Sequence, residues 1–186
     1  MAERDDVLDL LLAQHAEIER LFEQVIDAEG EIRRDRFEEL VRLLSVHETA
    51  EEELVHPLGR GTMPSGDEVV DARLAEERDA KRMLADLYER GTDDPEFPAR
   101  FEALREAVLT HAKREERYEF PYLHARVAPK TRARLARAVR AAQKTAPTRP
   151  HPGLESAKAN LLAGPPMAVV DRVRDALRAA VRESED

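Results

Sequence analysis

At 186 residues, 42% hydrophobic, 37% charged and 4% aromatic, the chain can build one core-bearing domain with a smaller appendage. It has no cysteine, which excludes disulfides, thiolate metal sites and cysteine nucleophiles, and no apolar run long enough to span a membrane. The net charge of −9 is unevenly spread: residues 1–125 carry 17 Lys+Arg against 33 Asp+Glu, whereas residues 126–149 carry eight basic groups and no acid. An acidic chain with one basic segment is a poor nucleic-acid or membrane-surface binder, so that segment is expected to dock on the acidic part. The beginning, MAERDDVLDLLL, lacks a basic leader and cleavage site, and with the missing cysteines it leads us to expect a cytoplasmic protein.

The first predicted helix covers about residues 5–29, with Leu8, Leu11, His15, Ile18, Phe22 and Val25 on one stripe. Past Gly30, a second helix over about 32–56 carries Phe37, Leu40, Leu44, His47, Glu51 and Leu54, a stripe that Leu58 continues just past its end, before the stretch GRGTMPSG (59–66). The third, over 67–90, lines up Val70, Leu74, Glu77, Ala80, Leu84 and Leu87. After GTDDP, Asp94 reads as an N-cap and Pro95 as a first-turn proline. The fourth helix, 95–124, carries Phe97, Phe101, Leu104, Val108, His111, Glu115, Tyr118 and Tyr122. A basic helix near 129–143, the loop PTRPHPG and an amphipathic helix near 167–183 complete the chain. No strand or hairpin pattern occurs. The fold class is therefore all-α: an up-down-up-down four-helix bundle over residues 1–125, with a helical extension over 126–186 that packs on the bundle or on a partner.

Two segments carry the chemistry: HETAEEELVHP from His47 and HAKREERYEFP from His111. Each is a His-x-x-x-Glu, which puts both side chains on one helix face, with a proline ten residues after the His. The two lie 64 residues apart, and helices one and three align at an offset of 62, which sets His15 opposite Glu77. The bundle thus reads as two hairpins, each with a single and a paired ligand candidate. Together they place His15, His47, Glu51, Glu77, His111 and Glu115 in apolar stripes. Several unpartnered carboxylates in a core would each cost a few kcal/mol, against total stabilities of about 5–15 kcal/mol. A cation among them removes that cost. Six nitrogen and oxygen donors exceed one tetrahedral zinc and suit two ions. Charge balance agrees with two iron ions, oxo- or hydroxo-bridged, which are expected ahead of manganese or zinc.

On His15, HETAE, Glu77 and HAKRE, the chain resembles the hemerythrin-like, or HHE cation-binding, family over about residues 5–125. The resemblance implies a four-helix bundle with a non-haem di-iron centre. It implies His15, His47, Glu51, His111 and Glu115 as metal ligands, with Glu51 and Glu115 bridging. Two features of the oxygen-carrying hemerythrins are missing: a His-x-x-x-His on the third helix, and an Asp five residues after the last His. Where the family usually has a third-helix His, this chain offers Glu77 or Glu76, or a position left open. Glu77 shares the apolar face and is preferred over Glu76.

An anion in place of a neutral imidazole favours the ferric state. The expected function is therefore a hemerythrin-like di-iron protein handling peroxide or nitric oxide, in protection against oxidative or nitrosative stress. As an enzyme it would be a peroxidase- or catalase-like, or nitric-oxide-reacting, oxidoreductase. The alternative is an oxygen- or iron-binding or sensing protein without turnover; a purely structural polar seam is the third. The expected partner is a small molecule, with the chain a monomer or small homo-oligomer. Tyr118, a turn past Glu115, is a candidate ligand or hydrogen-bond donor to the metals, and Tyr122 a weaker one. His56 and His124 read as helix-end surface residues, and His151 as a possible cap of the bundle end.

Overall fold

The computed structural model describes residues 6–145 together with Arg174, Asp175 and Arg178. Helix α1 spans Val7–Asp27, α2 Gly30–Ala50, α3 His56–Thr62, α4 Gly66–Arg90, α5 Phe97–Arg114, α6 Phe120–Arg126 and α7 Pro129–Thr145. Two single π turns, Glu51–Val55 and Glu115–Glu119, join α2 to α3 and α5 to α6 without a break, so each pair is one long helix. No strand occurs among the described residues. Helix α1 packs on α2, α4 on α5, and α1 on α5, closing a four-helix bundle to which α7 adds along α1. Among the described residues, no helix is long and apolar enough to cross a membrane. The loop PTRPHPG, with His151, and most of the helix expected near 167–183 lie outside the described residues; Arg174, Asp175 and Arg178 are helical.

Three junctions differ from the pattern-based expectation. The glycine-rich stretch does not end the second long helix, which runs to Thr62 before the chain turns through Ser65 in a left-handed conformation. The glycines serve approach rather than termination: a Cβ on Gly66 would lie 2.6 Å from the Gly59 carbonyl oxygen, so the close backbone contact of α3 with the start of α4 requires a glycine there. Asp94 is not an N-cap. Its Oδ1 accepts the Glu96 amide at 2.7 Å in a turn ahead of α5, and Pro98 rather than Pro95 occupies the first turn. At the other end Asp6 does cap α1, accepting the Leu8 amide at 3.0 Å, and the buried Arg132 of α7 clamps the same carboxylate at 2.6 Å.

The core divides in two. At one end Val7, Leu8 and Leu11 pack with Val46, Phe120, Leu123 and the α7 residues Leu135, Ala136 and Val139. At the other, Ile18, Phe22, Phe37, Leu40, Leu44, Leu84, Phe101 and Leu104 form the second apolar cluster. His15 lies between Leu11 and Ile18 on α1, and His47 comes one turn after Leu44 on α2. The polar side chains therefore form a layer between two apolar ends, shielded from water by both.

Candidate metal centre

Five of the six sequence candidates are buried: His15 at 5% exposure, His47 at 4%, Glu77 at 2%, and Glu51 and Glu115 at 0%. His111 is nearly so. Their donor atoms converge. The Nε2 atoms of His15 and His47 are 3.1 Å apart. Glu51 directs Oε1 at His47 Nε2 (3.4 Å) and His15 Nε2 (3.9 Å), and Oε2 at His111 Nε2 (4.0 Å). Glu115 does the reverse, with Oε2 3.5 Å from His15 Nε2 and Oε1 3.4 Å from His111 Nε2. Each of these carboxylates thus divides its two oxygens between imidazoles of different hairpins. Two sets of donors lie close enough to hold an ion: His15, His47, Glu51 and Glu115, and Glu51, Glu77 and His111. Glu51 belongs to both.

The imidazoles are aimed from behind. Each turns Nε2 inward by donating Nδ1–H outward: His15 to Glu116 Oε1 at 2.8 Å, His47 to Gln14 Oε1 at 2.9 Å, and His111 to Glu76 Oε2 at 3.1 Å. Such outer partners fix the ring tautomer and leave the inner nitrogen as a lone-pair donor. Glu76 is therefore placed as the support of His111, itself held by Arg73 and Arg114, while its neighbour Glu77 faces the cluster.

The donor set can be tested against a cation. Among the described residues, none of the four oxygens of Glu51 and Glu115 receives a hydrogen bond, and neither does Glu77 Oε2 or His111 Nε2, although all are buried. Buried acceptors normally have a partner, and leaving them bare is costly. Without a cation the charges must rearrange by protonation. Burial, reinforced by Glu115, pushes Glu51 up to about 8. Burial would also raise Glu115, but His111 and His15 outweigh it and hold that carboxyl well below its usual range. His111 is opposed by burial yet driven up to about 12 by Glu115 and Glu51, while burial and His15 force His47 well down. Two neighbouring imidazoles are thus driven in opposite directions. Divalent or trivalent ions would satisfy all of these groups together, and a nitrogen and carboxylate donor set fits iron or manganese.

Three sequence readings are corrected. Tyr118 is not at the cluster: it is 62% exposed, with its ring against the Arg117 guanidinium. Tyr122 is half-buried and stacks with Arg126. His56 is not a surface residue: it is 3% exposed and its Nε2–H donates to Glu77 Oε1 at 2.5 Å. The π turns explain the exchange. At about 100° per residue, Tyr118 lies on the His111 face and His56 lies roughly opposite His47. One extra residue in each π turn rotates the next helical segment by about that amount. Glu119 then takes the inward place of Tyr118 and pairs with Arg73 at 3.0 Å, and His56 turns in. Sequence reasoning therefore missed His56, Glu119, Gln14 and Glu116. The one available signal was the aligned nine-residue interval from each paired His to His56 and Phe120, both just before a proline. His124 is exposed, in keeping with its surface assignment.

Ile18, Leu44, Ala80, Val108 and Ala112, together with His15, His47, Glu77 and His111, line a partly open cavity of about 20 Å³, with Glu48 on its wall. That is room for a water-sized guest.

No curated protein matches the chain. Among solved structures, a hemerythrin HHE cation-binding domain-containing protein of Mycobacterium kansasii has the same fold, with a TM-score of 0.67. It is 22% identical, and the match covers 90% of this chain and 98% of that one. The model of the hemerythrin HHE cation-binding domain matches residues 6–150, which takes in α7 as well as the bundle. The chain belongs to the hemerythrin HHE cation-binding family.

Proposed function

We propose that His15, His47, Glu51, Glu77, His111 and Glu115 hold two iron ions, and that the centre handles hydrogen peroxide or nitric oxide. The observation that supports this reading is the pair Glu51 and Glu115, whose four buried oxygens lack hydrogen-bond donors and face imidazoles on both sides. Once bound, an iron pair supplies two-electron redox chemistry towards a small oxidant. The protein's own part is to bind, orient and exclude. Gln14, Glu76 and Glu116 keep the three imidazole lone pairs pointed inward. The apolar ends keep bulk water away, and the 20 Å³ cavity admits only a few-atom guest. Glu48, in contact with Lys81 at 3.5 Å, brings a carboxyl to that cavity as a group able to take or give a proton. Disproportionation of two peroxides to two waters and dioxygen needs no outside reductant. Three anionic donors favour the oxidised state over reversible oxygen storage.

The test is metal analysis of the full chain, then rapid mixing with hydrogen peroxide and, separately, nitric oxide. The expected result is two irons per chain with near-ultraviolet charge-transfer absorption, and either dioxygen release or a nitric-oxide-dependent spectral change. A two-iron protein inert to both reagents would leave the binding or sensing reading in its place. That reading has one observation in its favour: Arg174 and Arg178 reach Glu53, two residues from Glu51.

A further inference from the structure

The two hairpins differ at one matched pair of positions. The offsets that align His47 with His111 and His15 with Glu77 also align His56 with Phe120. In the first set of donors, the single ligand candidate His15 is stacked by Phe120, with ring centroids 5.6 Å apart and planes 12° from parallel. At the matching place in the other set, Glu77 is met not by an aromatic ring but by His56, whose Nε2–H donates to Oε1. Both partners arrive through the same device, the π turn that comes after each His-x-x-x-Glu. An imidazole is thus backed by an apolar plane, and a carboxylate by a donor.

The chemistry explains why these go together. A Phe at position 56 would leave Glu77 Oε1 buried without a donor, and nothing would fix the carboxylate's rotation about its last bond. With His56 holding Oε1, Oε2 is left bare and buried at the cluster, with Lys81 Nζ 3.8 Å away. His56 is itself buried, at 3% exposure, and its hydrogen bond to Glu77 is made through Nε2 alone. We infer that His56 is a positioning residue for the second metal position, and that His56 and Glu77 act as one exchangeable unit equivalent to Phe120 and His15. This rests on the six-ligand, two-iron reading of the cluster.

The test compares the full-length wild type with His56→Phe, His56→Gln, Glu77→His and the double variant His56→Phe/Glu77→His, which copies the other half of the site. Iron per chain, affinity for the second iron and near-ultraviolet absorption are read on protein shown to be helical by circular dichroism, together with the melting temperature of the iron-free forms. Loss of an outer-shell partner weakens metal binding by about 10–100-fold, so His56→Phe should lose the second iron first. The double variant should regain it with a shifted absorption band. His56→Gln keeps a donor and should hold more iron than His56→Phe. If His56→Phe fails to fold, the Gln and double variants decide between the same outcomes. Unchanged second-iron affinity in His56→Phe, or a double variant no better than Glu77→His, would sink the inference while leaving a two-iron wild type intact. A wild type that binds fewer than two irons would remove the ligand reading and this inference together.

Discussion

The two hairpins are near copies in position and unequal in charge. The α1–α2 hairpin brings two imidazoles and one carboxylate (His15, His47, Glu51) and supports His47 with the neutral amide of Gln14. The α4–α5 hairpin brings one imidazole and two carboxylates (His111, Glu77, Glu115) and supports His111 with the Glu76 carboxylate. Repetition of the His-x-x-x-Glu pair accounts for where the donors meet. The exchanges His15 for Glu77 and Gln14 for Glu76 make one side of the cluster more anionic. A more anionic set of donors holds a higher-valent ion more tightly, so the two metal positions should not be chemically equal.

The strongest way to break this comparison is at the carboxylates between the halves. Glu51 belongs to both donor sets and Glu115 to the first alone. Glu51→Gln keeps the shape and removes the charge, so it should abolish uptake of both irons. Glu115→Gln should leave roughly one iron per chain, because the Glu51, Glu77 and His111 set is untouched. Metal analysis on the folded variants separates them. Equal losses would mean that the two carboxylates are equivalent and the halves are not distinguished at this point.

The apolar stripes, the four long helices and the convergence of six polar side chains were all legible in the sequence. A 3.6-residue period fixes which residues of a straight helix share a face, and His47–Glu51 and His111–Glu115 each lie within one regular turn. The faces beyond Glu51 and Glu115 were not legible. A π turn adds one residue to a turn without a residue type that announces it, so every inference carried past Glu51 or Glu115 by periodicity is rotated by about 100°. Tyr118 was misplaced for this reason, and His56, read as a helix-end surface residue, is turned inward by the matching π turn. Gly59 and Gly66 misled differently: glycine ends helices and also lets helices touch, and only the opposing backbone decides which.

A smaller effect sharpens the contrast between Glu51 and Glu115 in the iron-free protein. The folded Glu51 carboxyl is raised to about 8 from an unfolded value near 4.5, so between these limits the folded chain holds a proton that the unfolded chain lacks. Stability must therefore fall as pH rises through that window. His111, raised to about 12, acts in the same direction above its unfolded value of 6.5. Glu115 is lowered, so its contribution is present above pH 4.5 and is lost only in acid. Between pH 6.5 and 8 the iron-free wild type should lose stability at about 1.4 kcal/mol per pH unit for each such proton. Glu51→Gln should flatten that slope most, and Glu115→Gln less, because burial is the larger cause that raises Glu51 and Glu115 only reinforces it. Denaturant melts at three pH values measure it, and identical slopes for wild type and Glu51→Gln would refute the assignment of the proton to Glu51.

The smallest expected effect comes from the residue that periodicity placed nearest the metals. Straight-helix geometry puts Tyr118 seven residues after His111 on the same face, within reach of a metal at Glu115. The π turn at Glu115–Glu119 rotates its ring out to 62% exposure against Arg117 and turns Glu119 inward to Arg73. Tyr118→Phe should therefore leave iron content, near-ultraviolet absorption and reaction with peroxide unchanged, because a phenol hydroxyl in water has no donor at the cluster to lose. Its inward neighbour behaves differently. Glu119 is buried, and burial with Glu115 nearby raises it to about 7 in spite of the Arg73 guanidinium beside it. A loss of the absorption band in Tyr118→Phe would mean that the second long helix pair runs straight through Glu115 when metal is bound. In that case the π turn, and the exchange of Tyr118 for Glu119 that it produces, would belong only to the metal-free chain.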